Sequence, residues 1–280
     1  MNGKRNYKMT NKDYHAHSAI SKSDIDLFLQ SPKKFALKKA GKLAGDDSPA
    51  LLLGSAVHKL ILEPNDFESE FIIEPKIDKR SKEGKVAYSD FLELAFGKNI
   101  LSPMAYEQAK AMAKAVLANK TAQKFITDGF AERSFFSTYQ GAEIKCRPDY
   151  YNQKLGLVVD IKTSANASEF AKSVGNFNYH IQQALYTDIL MANGLAVNGF
   201  VFVVVEKTPP YMVGFFQLSE KAVEFGRECY QNALDIIIAL KQQKLEFPDF
   251  AGLSIDENGQ INQKIIQEID LPAWVYSKGA

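Results

Sequence analysis

Two carboxylates and an amine stand close together around Asp149 and Asp160-Ile161-Lys162. Between the aspartates lies Asn152-Gln153-Lys154 with Gly156, which has turn chemistry. A hairpin turning near Lys154 sets Asp149 and Asp160 nearly opposite each other, where paired Cβ atoms lie roughly 5 Å apart. Carboxylates that close repel unless one is protonated or a cation sits between them. A hard divalent cation, which favours oxygen ligands, resolves the conflict. Side chains alternate along a strand, so Lys162 shares the face of Asp160 while Ile161 turns inward with Val159. An apolar run, Leu157-Val158-Val159, that ends in Asp-x-Lys is costly for structure alone. Mg²⁺ held by one or two carboxylates and a substrate phosphate is a common solution for phosphoryl chemistry. The lysine then orients or activates the attacking water, or stabilises charge on the phosphate. An isolated Asp-x-Lys reads more simply as a surface ion pair of slight energy; the matching position of Asp149 shifts the reading toward a site.

Other candidates are weaker as residues. His58, in Gly54-Ser55-Ala56-Val57-His58, lies on an apolar helix, where a lone histidine is more often a satisfied residue than a ligand. Glu132 precedes Asp149 on a strand, its facing open. Gln183 and Tyr186, three apart, share a helix face and read as ordinary polarity. A phosphate-binding loop, a Gly-x-Ser-x-Gly elbow and a paired-cysteine zinc pattern are missing.

The elements that must position these residues follow from periodicity and punctuation. Helices are expected from Ser21 or Ser23 to Ser31-Pro32, around Phe35 and Leu37, and from Ala50 to Leu62, where Gly54 and Ser55 suggest close approach of another backbone. Gly45–Pro49 reads as a loop and Ile72–Gly84 as a polar, mobile one. Helices resume over Val86–Phe96 and Pro103–Thr127. Strands are expected over Phe130–Tyr139, Ala142–Tyr151 and Leu155–Lys162 as a three-stranded antiparallel run. A helix over Tyr179–Met191, strands over Val197–Glu206 and Tyr211–Leu218, and a helix from Ser219 to Gln243 complete the pattern. The fold class is α/β, a central mixed sheet flanked by helices with a helical N-terminal extension. One domain over 1–280 is expected, with a mainly helical part (1–128) carrying His58, a catalytic core (129–245) and a tail (246–280).

Composition sets outer limits. The chain has 280 residues, 46% hydrophobic and 24% charged, enough for a large core. Two cysteines, Cys146 and Cys229, cannot build a disulfide framework or a four-cysteine cluster, and a reduced intracellular setting fits. The N-terminus lacks the apolar core of a signal peptide, and no apolar run reaches membrane-spanning length. A net charge of +1 neither supports nor excludes nucleic acid. Lysine clusters at 33–42 and 76–85 read as solvated surface, and the lone Trp274 suggests nothing catalytic.

Together these residues resemble a known family. Asp149 with Asp160-Ile161-Lys162 looks like the PD-(D/E)xK nuclease motif, a restriction-endonuclease-like core. Gln182-x-x-x-Tyr186 resembles the Gln-x-x-x-Tyr signature of RecB-like nucleases, with Gln182 and Gln183 competing for the role. Tyr14-His15, Ile20-Ser21-Lys22-Ser23, Ser31-Pro32 and the Ala50–Pro64 helix resemble the exonuclease VIII (RecE) C-terminal nuclease domain. The resemblance implies that His58, Asp149 and Asp160 bind Mg²⁺, with Mn²⁺ as a substitute, and that the Ile161 carbonyl and Glu132 are further candidates. It implies Lys162 as the catalytic lysine beside Gln182 or Gln183 and Tyr186. It also implies a cytoplasmic, phage- or prophage-encoded exonuclease that degrades linear duplex DNA from 5′ ends, leaving 3′ tails. Such members form ring-shaped homo-oligomers, trimers or tetramers, and work beside a RecT-like single-strand annealing protein. A structure-specific or restriction-type endonuclease of the same fold, and an end-binding recombination module without catalysis, are the competing readings; the intact acid and lysine set argues against the second.

Overall fold

The computed structural model describes residues 2–43, 48–250, 252–266 and 269–270. Within them the chain runs β1 (Asn2–Tyr7), α1 (Asn11–Ala16), α2 (Lys22–Gln30), α3 (Pro32–Lys39), α4 (Pro49–Leu62), α5 (Phe67–Glu70) and β2 (Phe71–Ile73). It continues through α6 (Lys82–Leu94), β3 (Asn99–Leu101), α7 (Pro103–Ala118), α8 (Lys120–Phe125), β4 (Gly129–Ala131), β5 (Ser134–Tyr139), β6 (Ala142–Cys146) and β7 (Tyr150–Asn152). Last come β8 (Leu157–Ser164), α9 (Phe170–Asn176), α10 (Tyr179–Ala192), β9 (Gly199–Glu206), β10 (Val213–Phe216), α11 (Glu220–Gln242), β11 (Leu253–Ile255) and β12 (Ile261–Gln263). Two compact units emerge: Met1–Lys22 with Ala44–Glu228, and Ser23–Leu43 with Cys229–Ala280.

The first unit is a mixed α/β structure. Its central sheet has the order β10-β9-β8-β7-β4, with β8 and β9 parallel and the other pairs antiparallel. One face carries Val159, Ile161, Val201, Val203 and Val205, which pack with Leu53, Ala56, Val57 and Ile61 of α4 and Ala109, Met112, Ala113 and Val116 of α7. Those helical positions recur at three- and four-residue spacing, the apolar stripe that a sheet-covering helix needs. On the opposite face Phe202 stacks on Tyr179, at the start of α10, and meets Phe170, at the start of α9, at a tilt. A second sheet, β1-β5-β6, lies along α10.

In the second unit, α2 and α3 join through the rings of Phe28 and Phe35, with Phe247 against both. Ser31 caps α3 and donates its hydroxyl to the Asp249 carbonyl, while the Lys33 amide donates to the Pro248 carbonyl. Lys38 and Lys39 pair with the buried Asp24, so part of the 33–42 lysine cluster is internally engaged. In the first unit, Lys79 and Arg80 likewise pair with Glu74 and Asp78.

Several expectations from sequence need correction. The N-terminal part is not wholly helical, because β1 opens it and pairs with β5. Ile72 and Ile73 form a strand paired to β3, and Lys82 to Gly84 already belong to α6; the loop is only 74–81. The helix expected over 103–127 is two, since Asn119 ends α7 with extended backbone and caps α8 through Thr121 and Ala122. Gly54 meets no foreign backbone; a Cβ there would lie 4.0 Å from the Thr163 hydroxyl. Of the 45–49 loop, residues 45–47 lie outside the described residues, and Pro49 opens α4 behind the Ser48 cap. Trp274 also lies outside them. The largest correction concerns 130–151. The two long strands expected there are four short ones, and each long segment leaves one sheet for the other midway.

Candidate active site

The site forms where those two segments change sheets. Going one way, β4 pairs with β7 in the central sheet and β5 pairs with β6 in the second. Between β4 and β5 the chain turns through Glu132, a non-glycine residue with φ 50°. Between β6 and β7 it passes Arg147-Pro148-Asp149, where Pro148 lacks the N–H a ladder requires. The two breaks are adjacent, for the Glu132 amide donates to the Asp149 carbonyl at 3.1 Å. Side chains at a strand break can be re-aimed away from the sheet's alternation. Here the break brings Glu132 and Asp149 together.

The β7–β8 register pairs Tyr150 with Val159. Continued one step, it sets Asp149 against Asp160, as the hairpin argument expects; one step further, Pro148 would face Ile161. The strand has ended by then. The Ile161 amide donates instead to the Asp149 carboxylate, at 2.6 Å. This is a charge-assisted bond to a carboxylate that is 9% exposed, and it fixes the acid's direction.

Helix α4 supplies the third group. Ser55, His58, Lys59, Leu62 and Glu63 follow helical spacing and all line one cleft. His58 Nδ1 lies 3.4 Å from Asp149 Oδ2. One ligand atom each from His58, Glu132 and Asp149 all lie within 4.8 Å of one another. An imidazole and two carboxylates suit a divalent cation. Electrostatics agree: burial first and Asp149 second push the Glu132 carboxyl up to about 8, with Arg147 opposing. A buried acid crowded by another acid gains from a cation. The cleft encloses about 500 Å³ and is also lined by Lys8, His15, Glu70, Arg147 and Tyr186.

Asp160 and Lys162 form the neighbouring pair. The Lys162 ammonium contacts Asp160 Oδ1, and the Gln182 amide donates to Asp160 Oδ2. Asp160 is 1% exposed and lies outside the 4.8 Å group. Burial pushes its carboxyl up to about 6 against the opposing pull of Lys162. For Lys162 burial acts downward, but attraction to Asp160 and Asp149 outweighs it and the ammonium is held above its usual range. Below Lys162 lies the Tyr179 ring, 4.7 Å from Nζ to centroid.

Residues 21–254 match the model of the PDDEXK-like domain of unknown function, DUF3799. The chain belongs to that PDDEXK-like family. Among solved structures, a Eubacterium rectale protein described as a candidate exonuclease is similar, with a TM-score of 0.66 at 18% identity, covering 93% of this chain and 97% of that one. A phage-related exonuclease from Haemophilus somnus 129PT is 12% identical, over 80% of this chain and 96% of that one; its TM-score of 0.30 is too low to carry argument. None of the curated proteins compared with the chain matches it. The 18% identity makes the first likeness evidence of fold alone.

Within this PDDEXK-like core the other candidates separate. Gln182 touches Asp160, whereas Gln183 faces away and lines a separate cavity with Thr187 and Asn198. Its buried Oε1 has no hydrogen-bond partner among the described residues. Tyr186 lines the main cleft, its hydroxyl pKa pushed well up by burial. At Ile161 the amide N–H, not the carbonyl, makes the contact seen in the site. Sequence reasoning passed over Lys59, which pairs with Glu63 and Glu70 in the cleft, although the α4 spacing from Ser55 to Glu63 carries that signal. Arg147 also shapes the cleft. It stacks on Tyr14 at 4.2 Å and donates to Ser134 and to the Met9 and Thr10 carbonyls, fastening the cleft's far wall. No helix among the described residues is long and apolar enough to cross a membrane.

Proposed function

We propose that this chain is a Mg²⁺-dependent exodeoxyribonuclease that degrades linear double-stranded DNA from 5′ ends and leaves 3′ single-stranded tails for recombination by strand annealing. The observation that carries the reading is the meeting of His58, Glu132 and Asp149 at one point of an open cleft, beside the Asp160–Lys162 pair. His58, Glu132 and Asp149 hold the cation, with Mn²⁺ as a substitute. Carboxylate and backbone carbonyl oxygens each carry two lone pairs, so Asp160 and the Ile161 carbonyl are further proposed ligands. Bound Mg²⁺ supplies Lewis acidity toward the phosphate and lowers the pKa of a coordinated water. The protein's own part is positional. Gln182 and Lys162 fix Asp160 from two sides, and Asp160 in turn holds the Lys162 ammonium where negative charge develops on the phosphate. Tyr186 closes the cleft beside them.

The reading extends to a ring of three or four copies around the duplex and to a strand-annealing partner on the 3′ tail, in the cytoplasm of a bacterial cell that carries the phage or prophage. It places the nuclease in one domain with His58 on its helical N-terminal part.

Digestion of end-labelled linear duplex beside covalently closed circles, with Mg²⁺ or EDTA, tests it. Loss of label from the 5′ end, only with Mg²⁺ and only on linear DNA, is expected. Cut circles would establish an endonuclease; no cleavage of either form would remove the nuclease reading and leave the binding module to be tested by DNA binding.

A further inference from the structure

Phe177 ends α9 and is 57% exposed, although it is a large aromatic residue. It is not isolated. Its ring stacks on Tyr179, centroids 5.7 Å apart and planes 29° from parallel. Residues two apart on a regular helix do not face each other; these do because Asn178 between them takes left-handed backbone, φ 52°. The Tyr179 ring lies in turn under Lys162, at 4.7 Å, and near Lys22, at 5.6 Å. Lys22 also donates to the Phe177 carbonyl. The exposed Phe177 ring therefore continues through Tyr179 toward the candidate catalytic lysine, with the Lys22 ammonium beside it.

We propose that Phe177, backed by Tyr179, is a stacking platform for an unpaired nucleobase of the DNA strand being cut, with Lys22 near that strand's phosphates. Aromatic faces beside cationic groups hold single-stranded nucleic acid without reading its sequence. The two ring distances place Phe177 within roughly 10 Å of the Lys162 ammonium, about three steps of stacked strand at ~3.4 Å each. The captured base thus lies within three nucleotides of the scissile bond. This rests on the nuclease reading for the identity of the strand, but binding can be measured without cleavage.

The test uses duplexes with a frayed 5′ end carrying 2-aminopurine at the first, second or third nucleotide, in EDTA, with the full chain. Fluorescence of one of the three probes should fall on binding. Phe177→Ala should abolish that quenching and weaken affinity roughly 5- to 150-fold, the range stacking losses give. Phe177→Trp should restore both. A covalently closed circular duplex, which has no ends and no unpaired loop, should bind wild type and Phe177→Ala alike. Unchanged quenching and affinity in Phe177→Ala, or equal losses in Phe177→Ala and Phe177→Trp, overturn the platform. Binding that behaves as expected from a chain that never cleaves DNA would leave the platform standing and remove the nuclease reading.

Discussion

Asp160 and Asp149 stand where the β7–β8 register, continued one step, would oppose them, yet they sit in unlike places. Asp160 belongs to an unbroken strand, buried on both faces and paired to β9 along its whole length. Asp149 belongs to a break, where a proline interrupts the chain and the backbone passes from one sheet to another. The regular strand holds Asp160 beside Lys162, and α10 adds Gln182 as a second fixed partner. The break gives Asp149 freedom to meet His58 on a helix and Glu132 on another broken strand. Rigid pairing thus holds the lysine, and irregular backbone gathers the histidine and the two carboxylates proposed to hold a cation. Substitutions on the two sides should separate these jobs.

The largest effect falls on chemistry. Asp149→Asn should lower Mg²⁺-dependent cleavage of linear duplex by roughly 10³-fold, and Lys162→Ala by roughly 10²- to 10³-fold, the scale of losing one group that stabilises developing charge. Single-turnover rates with excess enzyme measure this. Full activity of either variant would remove its residue from the site.

The second effect is on stability against pH. The folded Glu132 carboxyl, at about 8, lies above its ordinary 4.5. The folded protein therefore holds that proton more tightly than the unfolded chain does. Its contribution is complete below about pH 4.5 and is lost as pH rises through 8. In EDTA the thermal midpoint should fall across this window, Glu132→Gln should flatten the fall, and added Mg²⁺ should offset it at pH 8. Parallel curves for both proteins would contradict the burial of Glu132 and its crowding by Asp149.

Smaller effects separate two adjacent glutamines. Gln182→Leu removes a hydrogen bond to a buried carboxylate and should cost roughly 1.5–3 kcal/mol in chemical denaturation, with slowed cleavage. Gln183→Leu replaces a buried amide oxygen that has no partner among the described residues, so it should leave stability equal or raised by up to about 1 kcal/mol. The reverse order would transfer the role to Gln183. Smallest of all, Asn119→Ala removes one cap far from the cleft and should cost roughly 1 kcal/mol without changing the cleavage rate per folded molecule.

What could be read from sequence follows the same division. Asp160, Ile161 and Lys162 were legible because strand alternation is a rule of period two, and β8 obeys it. The helices over 22–30, 49–62, 179–192 and 220–242 announced themselves by apolar spacing and by Ser, Asn, Gly and Pro at their ends. The sheet change was not legible. Phe130 to Tyr139 alternates as one strand would, and nothing in residue type says that Glu132 takes a positive φ. Pro148 hinted at a break but gave no direction. Glu132 therefore stayed of open facing until its neighbours across the break were in place. Choosing Gln182 over Gln183 needed helix phase at better than one residue, which periodicity does not supply.

Manganese binding separates the two sides most directly. Titrating Mn²⁺ into wild type, Asp149→Asn and Lys162→Ala, with free ion read by electron paramagnetic resonance, should show binding to wild type and to Lys162→Ala and its loss in Asp149→Asn. Undiminished binding by Asp149→Asn would contradict a cation held at the break between the sheets.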